Sequence, residues 1–220
     1  NISEAFGQMG IMDIFDEAAL AFDIRKGGQD DLYLLPMGMN IEGFWYNKKI
    51  FADNNLSVPT TWEEMYAVSD ALLAKGIQPL VVGGKDRWPI TRYIYAHIMR
   101  DMGPTALIDA RAGEIPFNDP GFIRAAQNLV NMVDKGYFGQ GINSLDLSST
   151  VSMFFNSQSA MIYNGSWFVG SLNNPEQNIL GENGVGFFPV PTVAGGKGKI
   201  TDYSVNTGNS LALKIGRAHV

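Results

Sequence analysis

Val58-Pro59-Thr60-Thr61-Trp62-Glu63-Glu64 opens the stretch that decides the fold class. Thr61 has the short hydroxyl of a helix N-cap, and Glu64, three residues on, can reach back to the capping residue's own N–H. Met65, Val68 and Leu72 then recur on one face at helical spacing, and Lys75-Gly76 reads as the stop. Directly after it, Pro79-Leu80-Val81-Val82-Gly83 has the composition of a buried strand. A capped amphipathic helix feeding a buried strand is a building block of a layered α/β fold.

The same alternation continues outward. Thr91 to Met102 reads as a helix. A second clear helix opens at Asp119-Pro120, a cap followed by proline in the first turn. In it Ile123, Ala126, Val130 and Val133 face one way, and Lys135-Gly136 ends it. Ser148 to Asn156 reads as another helix. Ala160-Met161-Ile162-Tyr163 and Val185-Gly186-Phe187-Phe188 read as strands, Gly195-Gly196-Lys197-Gly198-Lys199 as a surface turn, and Ser210-Leu211-Ala212-Leu213 as a final strand. No repeat or low-complexity tract interrupts the pattern.

Composition narrows the function. The 220 residues are 45% hydrophobic and 17% charged, with a net charge of −6; these are globular values. An acidic chain without a basic cluster is a poor nucleic-acid binder, since phosphate contacts need concentrated Lys and Arg. The absence of cysteine removes disulfides, thiolate metal sites and Cys nucleophiles, and suits a protein exported to an oxidising space. No apolar run approaches the roughly 18 residues of a spanning helix. The chain opens on Asn1 in mid-pattern and reads as truncated, and Ile215-Gly216-Arg217-Ala218-His219-Val220 resembles a translated sequencing-library adapter, so His219 is given no role.

Catalytic signatures are not found. His97 sits among apolar neighbours in the Thr91–Met102 helix and reads as packing, and no His/carboxylate set has metal-ligand spacing. Gly83-Gly84-Lys85-Asp86 and Gly195-Gly196-Lys197-Gly198 lack the Ser/Thr and the spacing of a phosphate loop and read as turns. Asn164-Gly165-Ser166-Trp167 is not a nucleophile elbow. Asp30-Asp31 and Glu63-Glu64 fit helix N-termini and do not by themselves make a glycosidase pair, which needs two carboxylates across a pocket.

Four segments in order carry a resemblance over nearly the whole chain: Leu35-Pro36 followed by Tyr46-Asn47-Lys48-Lys49-Ile50-Phe51; Pro59-Thr60-Thr61-Trp62-Glu63-Glu64; Gly83-Gly84-Lys85-Asp86-Arg87-Trp88-Pro89; and Ala160-Met161-Ile162-Tyr163-Asn164-Gly165-Ser166-Trp167, followed by Gly186-Phe187-Phe188-Pro189-Val190-Pro191. The chain resembles the family-1 extracellular solute-binding proteins, relatives of maltose-binding protein. The resemblance implies an α/β, two-lobed fold of the type II periplasmic-binding-protein kind, without the start of its N-terminal lobe and its C-terminal end. Residues 1–38 would be the end of the N-terminal lobe, 39–42 hinge, 43–183 the C-terminal lobe, and 184–214 the return through the hinge, with 215–220 the adapter-like tail. Ligand would lie in a cleft that closes by hinge motion.

The resemblance further implies a non-enzymatic binding protein, without cofactor or metal. It would be a monomer outside the cytoplasm, in the periplasm or as a surface lipoprotein, delivering a neutral mono- or oligosaccharide to an ABC permease. Sugars present apolar C–H faces and a ring of hydroxyls, so aromatic platforms and polar side chains are wanted. Trp167 matches the family's stacking tryptophan. Trp88 lies in a loop flanked by Lys85, Asp86 and Arg87, whose side chains are expected to bond ligand hydroxyls, and for Trp88 itself ligand contact and packing both stay open. Asn40 stands where relatives often carry an acidic ligand residue. Of Phe44 and Trp45, one should face the cleft, because strand neighbours point to opposite sides. Asn206 and Thr207 match a loop where many sugar binders have Asp. Trp62 reads as structural. The competing readings are a carbohydrate-active enzyme, a sensor or adhesion module, and a binder of a non-sugar solute such as a glycerol phosphate ester.

Overall fold

The computed structural model describes residues 2–27 and 32–212. Asp30-Asp31, Leu213 and the adapter-like tail lie outside the described residues. The chain divides into two compact units, residues 1–41 with 205–220, and residues 42–204. Residues 184–204, read from sequence as the start of the return, group with the larger unit.

The smaller unit contains helices α1 (Ile2–Met9) and α2 (Glu17–Gly27) and strand β1 (Leu35–Pro36). Strand β2 (Asn40–Asn47) then carries the chain into the larger unit. Asn47 ends β2 and caps helix α3 (Lys48–Asp53), its Oδ1 accepting from the Ile50 N–H at 3.1 Å. This is why Tyr46-Asn47-Lys48 reads as one motif: the strand stops where the carboxamide satisfies an orphan helix N–H. Helix α4 (Trp62–Leu73) starts on the expected capping box. The Glu64 N–H donates to Thr61 Oγ1 at 3.1 Å, and Glu64 Oε2 accepts from the Thr60 and Thr61 N–H groups at 2.6 and 3.3 Å. Its buried face is Trp62, Met65, Val68, Ser69 and Leu72.

Next come β3 (Leu80–Val81), α5 (Trp88–Asp101), α6 (Ala106–Arg111), α7 (Pro120–Asp134), α8 (Leu147–Phe155), β4 (Met161–Gly165), α9 (Val169–Leu172) and β5 (Val185–Phe188), with β6 (Ser204–Asn206) and β7 (Ser210–Leu211) closing the described chain. The main sheet has the order β3-β4-β2-β5, with β6 also on β2, while β7 pairs with β1. The β3–β4 pair is parallel, and β2 is antiparallel to both β4 and β5. Because β5 registers Phe188 against Phe44 and Phe187 against Trp45, it belongs to this sheet.

Side-chain alternation sends each strand's residues into two cores, one on each face of the sheet. Leu80 and Val82, Met161 and Tyr163, and Phe44 enter the core built with α4 and α5, around Trp62, Met65, Leu72 and Tyr93. Val81 and Ile162, with half-buried Trp45, enter the opposite core with Phe154 and Phe155 of α8 and Phe168. The main sheet is therefore covered by helices on both faces, the layered α/β class expected from sequence.

Two local expectations change. On α7, Ile123, Ala126, Val130 and Val133 do share a face, but they are exposed. The buried face is Phe122, Ala125, Asn128 and Met132, and the Asn128 carboxamide is committed there to the Tyr66 hydroxyl. A hydrogen-bonded Asn can sit in a core, and an apolar count alone picks the wrong face when it does. The Gly195–Lys199 turn is also more than a surface connector. It packs on the end of α5: the Lys197 and Gly198 N–H groups donate to the Asp101 and Arg100 carbonyls at 3.1 and 2.9 Å, satisfying orphan helix-end acceptors. A Cβ on Gly198 would lie 2.1 Å from the Met99 carbonyl oxygen.

Candidate functional site

Trp88 and Trp167, far apart in sequence, meet in the larger unit. Their rings are 5.9 Å apart at 67°, edge to face, and they remain 38% and 37% exposed. A partly exposed pair of indoles offers apolar area that the fold leaves uncovered.

Each indole is placed by backbone chemistry that the sequence motifs encode. Trp167 follows the end of β4, and its ring folds back over Gly165: a Cβ on Gly165 would meet the indole at 2.0 Å. The glycine of Asn164-Gly165-Ser166-Trp167 is thus needed for the ring to lie where it does. Trp88 starts α5 after a turn in which Arg87 has φ 64° and ψ −48° and the Trp88 N–H donates to the Asp86 carbonyl at 2.7 Å. That is a γ-turn of the rare, strained hand. It is held by the preceding residues: Gly83 and Gly84 lie so close to the 142–147 segment that Cβ atoms there would sit 3.0 Å from Leu147 N and 2.9 Å from Ile142 O.

Lys85 and Asp86, expected to bond ligand hydroxyls, hold the loop. Asp86 Oδ2 accepts from the Leu147 N–H at 2.7 Å, at the start of α8, and Lys85 pairs with Asp146 at 3.4 Å. Asp146 caps α8, accepting from the Ser149 hydroxyl at 2.7 Å and the Ser149 N–H at 2.9 Å. These bonds, with a smaller contribution from Lys85, bring its carboxyl down to about 2.

Beside Trp167 opens a cavity of about 610 Å³, within the range of roughly 300–1,000 Å³ usual for small-molecule sites. Trp167, Phe155, Phe168 and Val151 supply apolar wall; Ser148, Ser152, Asn156, Asn164, Ser171 and Gln177 supply neutral donors and acceptors; Glu176 is the one charged residue among the described residues lining it. Of these, only Trp167 was singled out from sequence. The serines and amides of α8 read there as ordinary polar helix positions, and nothing in their spacing marks them as facing a cavity.

An ion pair with a buried carboxylate and a partly exposed guanidinium stands beside Trp88. Glu42 on β2 is 1% exposed; its Oε2 lies 3.2 Å from Arg92 Nε and accepts from the Tyr163 hydroxyl at 3.3 Å. The Arg92 guanidinium carbon lies 5.6 Å from the Trp88 ring centroid. Burial first, then the Glu42 charge, pushes the Tyr163 phenol well above its ordinary value, so it stays a donor. Sequence reading missed Glu42 and Arg92. The signal was there in the i, i+4 spacing of Trp88 and Arg92 on one helix face, but Glu42 comes from a distant strand.

The remaining expectations divide. Phe44 is fully buried, ringed by Trp62, Tyr93, Tyr163 and Phe188 at centroid distances of 5.1–6.2 Å; it is core, not ligand surface. Its neighbour Trp45 points to the other face, packed on Phe187 and Phe168 with its indole N–H donating to the Asn164 carbonyl at 3.1 Å. Trp62 is 1% exposed and His97 8%, and burial lowers the His97 pKa. In the smaller unit Thr207 is also withdrawn from ligand: it is buried, and its hydroxyl donates to Asp23 Oδ1 at 2.6 Å. A short polar side chain in a loop is drawn inward when a buried carboxylate needs a donor. Asn206 Oδ1 accepts from the Gly208 N–H at 2.7 Å, and half-buried Asn40 lies beside the same glycine.

Among the described residues, no group of three or more His, Cys, Asp or Glu can hold a metal ion, and no helix is long and apolar enough to cross a membrane. The chain is 24% identical over 193 residues to the multiple sugar-binding protein of Streptococcus mutans, covering 84% of this chain and 43% of that protein. Among solved structures, one from work on xylan utilization by Caldanaerobius polysaccharolyticus matches with a TM-score of 0.75 at 29% identity, covering 80% of this chain and 45% of that one. A chitin oligosaccharide binding protein matches at TM-score 0.74 and 26% identity, covering 88% and 46%. The chain thus spans less than half the length of each of these proteins. The family model for bacterial extracellular solute-binding protein matches residues 11–213, so the chain belongs to that family, in the α/β fold class its four motifs implied.

Proposed function

We propose that this chain is the part of an extracytoplasmic binding protein that holds a neutral carbohydrate, with Trp88 and Trp167 as its aromatic platform, for delivery to an ABC permease. The observation that carries the reading is the half-exposed, edge-to-face indole pair beside a cavity walled by aromatics and rimmed by serines and carboxamides. That combination suits a pyranose: the C–H face packs on the indole and the hydroxyls find neutral partners. Lys85 and Asp86 act by fixing the loop that carries Trp88. The sugar-binding relatives support the ligand class, and family membership supports a location outside the cytoplasm, in the periplasm or lipid-anchored at the surface; we read the protein as a monomer.

A phosphate ester fits less well, because no Lys or Arg is among the described residues lining the cavity and phosphate is held by such cations. The test is a thermal-shift screen of the full-length protein against glucose, xylose, N-acetylglucosamine and their β-linked oligosaccharides, with product analysis. A ligand at about 100 times its Kd adds roughly 2.7 kcal/mol of stability. A shift with one sugar class and no product is expected. No shift with any saccharide refutes the carbohydrate assignment, and turnover moves the protein to the enzymes.

A further inference from the structure

We infer that Glu42 and Arg92 are positioning residues for ligand binding: Glu42 anchors the Arg92 guanidinium, and Arg92 holds the Trp88 indole at its angle to Trp167. The inference rests on the carbohydrate reading of the indole pair and adds to it the groups that set the pair's geometry.

The first observation is the burial of Glu42. A carboxylate buried to 1% exposure is costly to desolvate, and an apolar residue of similar size would serve the core as well or better. Its oxygen is shared by Arg92 Nε at 3.2 Å and the Tyr163 hydroxyl at 3.3 Å. Glu42 therefore holds the Nε end of Arg92 by charge, from a strand inside the sheet.

The second observation is what the other end of Arg92 meets. Its guanidinium carbon lies 5.6 Å from the Trp88 centroid, within the range of cation–π attraction, and Trp88 meets Trp167 edge to face. Glu42, Arg92, Trp88 and Trp167 thus form a continuous chain of contacts from the strand to the exposed rings.

The third is strain. Arg87 holds a φ of 64°, which a non-glycine residue adopts only when its surroundings enforce it. The turn supplies the direction of Trp88 at its backbone, and Arg92 fixes the ring from the side. A platform fixed before ligand arrives loses less entropy on binding than one that must be ordered by it.

The experiment compares full-length wild type, Arg92→Met and Arg92→Lys, each with Trp88 intact and as Trp88→Ala. The readouts are far-UV melting, the near-UV circular dichroism of the coupled tryptophans without ligand, and affinity for the tightest-binding saccharide of the panel above. Arg92→Met should diminish the near-UV tryptophan band and weaken affinity about tenfold, and should change affinity less than about twofold once Trp88 is Ala. Arg92→Lys keeps a positive charge for Glu42 but loses the planar group. It should melt like wild type and still weaken binding several-fold, which keeps the test intact if the Met variant does not fold. An unchanged near-UV band and affinity in a folded Arg92 variant overturns the inference. So does an equal loss of affinity with Trp88 absent, because Arg92 would then be touching the ligand itself. If wild type binds no saccharide while the near-UV band still depends on Arg92, the carbohydrate reading fails and the clamp stands.

Discussion

Replacing Phe44 by Ala tests the assignment of the central strand most sharply. Phe44 is 0% exposed and meets Trp62, Tyr93, Tyr163 and Phe188, so the substitution opens a cavity walled by four rings that cannot all collapse into it. Buried Phe→Ala changes cost about 3–5 kcal/mol, against a total of roughly 5–15 kcal/mol for a whole domain. With a urea dependence of about 2 kcal/mol per M, the unfolding midpoint should fall by about 2 M. The assay is urea unfolding followed by far-UV circular dichroism, with saccharide affinity measured well below the new midpoint. The expected result is a large midpoint shift with affinity retained in the folded fraction. A shift under about 0.5 M, or affinity lost in a fully folded variant, refutes the placement of Phe44 in the core and returns it to the ligand surface.

Three further outcomes follow from local chemistry. Thr61→Ala removes the side-chain half of the α4 capping box and should destabilise the larger unit by about 1 kcal/mol, read as a lower urea midpoint; no change would mean the cap is frayed in solution. Asp146 has a carboxyl pKa brought down to about 2 from an ordinary 3.8, first by the Ser149 hydroxyl and N–H. Its contribution is therefore full above about pH 4 and is lost as pH falls through about 2, and an Asp146→Asn variant should lack that acid dependence; identical acid titrations of the two would contradict it. His97 is shifted below 6.5, chiefly by burial, so the folded state favours the neutral ring, and its contribution to stability is full above pH 6.5 and declines as pH falls below it. An NMR titration of the imidazole should place its midpoint under 6.5, and a midpoint at or above that value would show the ring is not in the buried site.

Where the fold was legible, a short-range rule carried the signal. Thr61 and Glu64 are three residues apart, and their reciprocal bonds need nothing from the rest of the chain. Asp119-Pro120 is legible for the same reason. The buried face of α7 was not legible, because Asn128 takes a core position that depends on Tyr66 from another helix, while Ile123 and Val130 stay outside. The choice between Phe44 and Trp45 could be posed from alternation but not resolved, since it depends on which sheet face receives α4 and α5 and which receives α8. At the site, Trp88 and Trp167 were each identifiable, but their contact was not: it requires the parallel pairing of β3 with β4, which places the loops that follow the two strands at the same end of the sheet. Lys85 and Asp86 read as ligand groups because charges beside a tryptophan suit that role. Their true partners, the Leu147 N–H and Asp146, lie about sixty residues away. Glu42 and Arg92 were invisible for a related reason. A glutamate in a strand reads as solvent-facing until the fold supplies the guanidinium that permits its burial.

Stacking of Trp167 on a carbohydrate is measured by titration calorimetry of full-length wild type and Trp167→Ala with the saccharide that stabilises the protein most. Loss of the exposed indole face should cost about 1–3 kcal/mol, a fall of roughly tenfold to over a hundredfold in affinity, with the melting temperature without ligand little changed. An unchanged Kd in a folded Trp167→Ala protein would contradict that stacking and move the ligand away from the paired tryptophans.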